Sequence, residues 1–167
     1  MSERTMPERT MKGNNEVIAM LNEALGSELQ AINQYMLHSS ILDNLGHPKL
    51  AAFVKKQAID EMHHAEKLMD RILFLDGEPM MMGGKRTGLD KDPEAILKRQ
   101  LVLEKEAVEL YRQAATQAHQ SRDYVTRGLF ETLLADEEQH YDWLDTQLGL
   151  IKRLGFANYE AALITID

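Results

Sequence analysis

The chain has 167 residues, 44% hydrophobic and 28% charged, with a formal net charge of −8 and no cysteine. This predicts one globular domain with a full core; no apolar run approaches the roughly 18 residues of a membrane span. The acidic charge argues against nucleic acid as a partner and suits a protein that handles cations, while the lack of cysteine excludes disulfides, thiolate metal sites and cysteine nucleophiles.

Residues 1–12 read as a flexible N-terminal extension without the apolar segment of a secretory signal, which points to a cytoplasmic protein, and residues 13–167 as the folded domain. A first helix is expected to start after the capping candidates Asn14 and Asn15 and to end before Gly46 and Pro48. Its inward stripe is Leu21, Leu25, Glu28, Ile32, Tyr35, Ser39 and Leu42. A second helix runs from about Lys49 to Asp76, with Leu50, Val54, Gln57, Glu61, His64, Leu68, Ile72 and Leu75 facing in. The third opens at Asp92 as N-cap and Pro93 as first helical residue, fades near His119, and turns Leu97, Leu101, Glu104, Val108, Tyr111 and Ala115 inward. The fourth spans about Arg122 to Leu148, with Thr126, Phe130, Leu133, Glu137, His140 and Leu144 inward, and "FANYEAALITI" is apolar enough for a short fifth helix. No alternating strand pattern of useful length appears.

Between helices two and three lies "GEPMMMGGKRTGLDKD", long for a loop inside one domain. Each helix should be about 40 Å long at about 1.5 Å per residue, and these 16 residues, extended, reach about that far. The loop can return the chain along the whole bundle, making helices two and three parallel. The expected fold is all-α: a four-helix bundle with one long crossover and a short fifth helix. The loop's methionines are most simply packing residues.

A glutamate in the middle of each apolar stripe, joined by a histidine in the second and fourth, requires an explanation. Glu28 precedes Glu61 by 33 positions, Glu104 precedes Glu137 by the same 33, and each second glutamate heads a Glu-x-x-His, with His64 and His140. A shift of 76 residues places Leu21, Leu25, Glu28, Tyr35, Asp60, Glu61, His64 and Leu68 on Leu97, Leu101, Glu104, Tyr111, Asp136, Glu137, His140 and Leu144. One motif is used twice. Four carboxylates left ionised, buried and unpaired would cost several kcal/mol apiece, whereas two divalent cations would balance their charge. A glutamate from each of two helices plus Glu-x-x-His from each of the other two is the ligand set of di-iron bundles; carboxylate and imidazole without thiolate suit iron or manganese, with zinc competing.

At these residues the chain resembles the bacterioferritins, through "ALGSELQAINQYMLH", "IDEMHHAEKLMDRILFLDGEP", "LVLEKEAVELYRQA" and "LLADEEQHYDWLDTQLGLI", and the likeness runs from Met11 onward. The resemblance implies a ferritin-like fold and a ferroxidase that oxidises Fe(II) with O2 or H2O2 at a di-iron centre, with the mineral stored in a hollow homo-oligomer of 24 subunits. It implies that Glu28 and His64 hold one iron, Glu104 and His140 the other, and that Glu61 and Glu137 bridge. Asp60 and Asp136 would accept the free N–H of the ligand histidines. Tyr35 would hydrogen-bond to the site; for Tyr111, simple core packing fits as well. The resemblance also makes Met62 an axial haem ligand, one from each of two subunits across a two-fold axis, with Leu29, Asn33, Met36 and Ile59 lining the pocket and a small ferredoxin as electron donor for iron release. Lys56 and Gln57 depart from family members that carry a histidine and a carboxylate there, which weakens the case for an accessory iron site. Two other classes fit the residues: a di-metal oxidase or peroxidase without storage, and a helical scaffold whose metal or haem is structural.

Overall fold

The computed structural model describes residues 12–82 and 89–164, so residues 1–11 of the expected extension fall outside the described residues. The described residues form α1 (Asn15–Asn44), α2 (Pro48–Phe74), α3 (Pro93–Gln120), α4 (Tyr124–Leu154) and α5 (Phe156–Ile164). The ends follow from local chemistry. The Asn14 side chain accepts from the N–H groups of Glu16 and Val17, the Asp92 side chain from Ala95, and the Asp123 side chain from Thr126. Gly46, at φ 87°, and Gly155, at φ 74°, take the left-handed backbone that stops α1 and α4.

Hydrogen bonds between helices fix the directions. Tyr35 of α1 donates to Glu104 of α3 while Tyr111 of α3 donates to Glu28 of α1, so these helices run antiparallel. The tight Gly46–His47 turn makes α1 and α2 antiparallel too. Consequently α2 and α3 are parallel and the connection between them is the long crossover. At the other end of the bundle, Arg71 near the end of α2 donates to Asp123 and Thr126 at the start of α4, which sets that pair antiparallel.

All eight residues of the α2 stripe are buried. Two apolar clusters fill the bundle. One gathers Leu21, Leu25, Leu68, Ile72, Tyr111, Phe130 and Leu133; the other gathers Tyr35, Leu42, Leu50, Val54, Leu97, Leu144 and Ile151. The polar residues of the repeated motif lie between them. Beside the second cluster, His38 is fully buried, with Gln34 and Gln100 amide nitrogens at 2.6 and 3.2 Å from its two ring nitrogens.

Two expectations need correction. The fourth helix continues six residues past Leu148, because Gln147 and Ile151 keep the buried spacing and Gly149 alone costs a helix only about 1 kcal/mol. The loop methionines do not pack within the chain: Met80, Met81 and Met82 are 55, 60 and 77% exposed. The crossover is held to α1 by backbone groups instead, with Asn22 donating to the Glu78 carbonyl and accepting from the Met80 N–H. The fifth helix closes over the bundle end, where Tyr159 is buried and donates to Gln147 and where Glu160 pairs with His47.

Candidate metal centre

Four antiparallel neighbours bring the mid-helix polar residues to one level of the bundle. Glu28, Glu61, His64, Glu104 and Glu137 are at most 3% exposed, and His140 is partly buried. They form two groups whose potential ligand atoms all lie within 4.8 Å of one another: Glu28, Glu61, His64 and Glu137 in one, Glu61, Glu104, Glu137 and His140 in the other. Glu61 and Glu137 belong to both. His64 Nδ1 stands 2.8 Å from Glu61, 3.0 Å from Glu137 and 3.6 Å from Glu28. His140 Nδ1 stands 3.0 Å from Glu61, 3.4 Å from Glu137 and 3.8 Å from Glu104. Both Nδ1 atoms therefore point inward.

The outer ring nitrogens meet the two aspartates, but crosswise. His64 Nε2 lies 3.1 Å from Asp136 on α4, and His140 Nε2 lies 3.8 Å from Asp60 on α2. The aspartates precede the histidines by one turn on their own helices, yet the antiparallel pairing of α2 and α4 hands each one to the other half. Each is about 40% exposed at its side chain, so they sit at the rim rather than in the core. The tyrosines cross over in the same way, Tyr35 to Glu104 and Tyr111 to Glu28. Tyr111 is the functional contact that sequence reasoning left undecided; its place on Tyr35 under the 76-residue shift was the available signal.

Three polar atoms of this centre are not satisfied by their neighbours. Both Glu61 oxygens and His140 Nδ1 are buried without a hydrogen-bond partner, their short contacts lacking hydrogen-bond alignment. Buried groups of this kind normally have a partner. A cation between the two groups would supply one, so the donor set fits a pair of divalent ions. In the absence of cations, protons balance the charge. Burial, reinforced by the neighbouring carboxylates, raises Glu28 and Glu104 well above the ordinary carboxylate range. Glu137 goes the other way: burial opposes its charge, but the His140 imidazole 3.4 Å away and the hydrogen bond with His64 outweigh it and hold the carboxyl well below that range. Burial opposes the imidazolium of both histidines, yet the surrounding glutamates outweigh it, raising His64 strongly and His140 to about 11. Burial also keeps both phenols protonated, as donors.

Two sides of the bundle open onto the centre. Between α1 and α3 a small cavity of about 20 Å³ touches Glu28, Tyr35, Glu61, Glu104 and Glu137. On the α2–α4 side, a cavity of about 300 Å³ is lined by Asp60, His63, His64, Lys67, Asp136, Gln139 and His140. A second of similar volume beside it adds Phe53, Lys56, Gln57 and Trp143. The remaining candidates lie elsewhere, on the α1–α2 surface. Met36, Ile59 and Met62 are 56, 43 and 45% exposed, Asn33 is exposed and Leu29 is partly buried.

Comparison with known proteins agrees with this architecture. The Ferritin family, described as a ferritin-like domain, matches residues 18–154. Bacterioferritin of Mycolicibacterium paratuberculosis is 40% identical over 155 residues, covering 93% of this chain and 98% of that protein. Bacterioferritin of Rhodobacter capsulatus is 41% identical over 145 residues, covering 87% and 90%. A solved structure of the Rhodobacter capsulatus protein, described with a metal-free dinuclear site and heme iron in a crystallographic special position, superposes with a TM-score of 0.88 at 39% identity, covering 91% of this chain and 95% of that one. With this coverage and identity, the chain belongs to the ferritin-like family and, within it, to the bacterioferritins.

Proposed function

We propose that this protein stores and detoxifies iron, and that the centre of Glu28, Glu61, His64, Glu104, Glu137 and His140 is a ferroxidase site. The observation that carries the reading is the pair of overlapping carboxylate–histidine groups with orphaned Glu61 oxygens at their junction. Fe(II) is the substrate, and O2 or H2O2 takes its electrons. Glu28 and His64 would hold one ion, Glu104 and His140 the other, and Glu61 and Glu137 would bridge. The bound irons supply the redox chemistry; the chain supplies position and charge. Asp136 accepts from the outer nitrogen of His64 and so keeps its Nδ1 aimed inward, Asp60 faces the outer nitrogen of His140 at 3.8 Å, and Tyr35 and Tyr111 orient the terminal carboxylates.

Storage requires an assembly, and membership of the bacterioferritins supports a homo-oligomeric shell of 24 chains in the cytoplasm. The same membership supports haem. Met62 is half-exposed, with exposed Ile59 three residues before it on α2 and exposed Met36 on α1, a set that suits a flat apolar macrocycle and an axial sulfur ligand. One chain offers one such sulfur, so a second copy would complete the pair, with Leu29 and Asn33 beside it. The haem would pass electrons from a small ferredoxin to stored iron.

The test is aerobic oxidation of added Fe(II) by wild type, Glu28→Ala and His140→Ala. Rapid oxidation in wild type, abolished in both variants, is expected. Equal rates in all three proteins would overturn the assignment of the centre.

A further inference from the structure

The two halves of the centre are each held by a tyrosine of the other half, but the two phenols differ in setting. Tyr35 borders the cavity between α1 and α3, which Tyr111 does not line. Tyr111 is fully buried in the apolar cluster of Leu21, Leu25, Leu68 and Phe130, with the Phe130 ring 6.1 Å away, and its hydroxyl reaches out of that cluster to Glu28. A phenylalanine would fill the same space without placing a hydroxyl among apolar side chains. The hydroxyl is accommodated because Glu28 accepts from it.

We propose that Tyr111 is a positioning residue that sets the cation affinity of the Glu28–His64 half of the centre. The inference rests on the metal-centre reading above. A donor on one carboxylate oxygen fixes the rotation of the group, so that Glu28 meets a cation already aimed. Besides Tyr111, Glu28 faces His64 Nδ1 at 3.6 Å and the like-charged carboxylates of Glu61 and Glu137, which cannot donate to it when ionised. Tyr35 performs the corresponding service for Glu104, so loss of either hydroxyl weakens one ion and spares the other.

Anaerobic Co2+ titration of the full chain, followed by the visible absorption of the bound ion, tests this without turnover. Wild type is expected to bind two ions. In Tyr111→Phe one ion should bind as in wild type and the other about 10- to 100-fold more weakly, with an altered spectrum; Tyr35→Phe should weaken the other ion. Tyr111→Leu, which removes the ring as well, should give the same loss of affinity as Tyr111→Phe. If wild type binds two ions and Tyr111→Phe matches its isotherm and spectrum, or if only Tyr111→Leu loses affinity, the role of the hydroxyl is overturned while the metal centre stands. If wild type binds no Co2+, the metal-centre reading falls and this inference falls with it.

Discussion

Glu61 of α2 and Glu137 of α4 are the only residues shared by the two carboxylate–histidine groups, whereas Glu28 and Glu104 each belong to one. This difference has a stoichiometric consequence. Zn2+ titration by calorimetry should find two ions per chain in wild type and one tight ion in Glu28→Ala or Glu104→Ala. In Glu61→Ala and Glu137→Ala both sites should weaken, by more than about tenfold each. One intact tight site in Glu61→Ala would contradict the sharing.

The raised imidazoles of His64 and His140 must give up their protons when cations arrive, and the raised carboxyls of Glu28 and Glu104 resist ionisation until then. Loading near neutral pH should therefore release protons, and apparent affinity should rise with pH. For the unloaded protein the sign is reversed. Groups whose folded pKa is raised contribute stability below their unfolded pKa and lose it as pH climbs through the folded value; for His140 that window runs from 6.5 to about 11. The melting temperature of the metal-free protein should fall across this window, and that of the Zn2+-loaded protein should fall less. A pH-stat trace showing no proton release would contradict the charge balance.

His38 supplies the opposite slope. Burial lowers it to about 4, so the folded protein refuses a proton that the unfolded chain accepts. Its contribution is full above 6.5 and is lost as pH falls toward 4, by about 2 to 3 kcal/mol in total. Chemical denaturation of His38→Gln at pH 7 and pH 4.5 should show a smaller stability difference than wild type. An unchanged difference would place the acid sensitivity elsewhere.

Met62 is half-exposed on α2, outside the buried stripe of that helix. In the proposed haem site, Met62→Leu removes the axial ligand while keeping an apolar side chain. Purified wild type reconstituted with haem should show one Soret-absorbing group per two chains, and Met62→Leu should lose most of it. Equal haem content in both would move the haem to another surface.

Much of this architecture was legible because the apolar stripes are long and because one motif occurs twice. The directions of the helices followed from the length of the crossover, and the convergence of six polar residues followed from their place on the stripes. What escaped was contact between elements. Asp60 and His64 lie four residues apart on one helix, yet His64 meets Asp136 and Asp60 meets His140, because antiparallel packing of α2 on α4 decides which rim carboxylate reaches which ring. Likewise Tyr111 could not be separated from a packing residue until α3 was placed against α1. The exposed methionines of the crossover were misread for the same reason: Asn22 anchors the loop backbone at Glu78 and Met80, and a residue on another element cannot be seen from the loop's own sequence.

The most direct test of the central claim is stopped-flow oxidation of Fe(II) added stepwise to the metal-free protein in air, with the same sample sized by light scattering. A fast phase that saturates near two irons per chain, on a particle of about 24 chains, is the predicted result. Metal bound with no fast phase would contradict ferroxidase chemistry, and a fast phase on a particle no larger than a dimer would contradict storage.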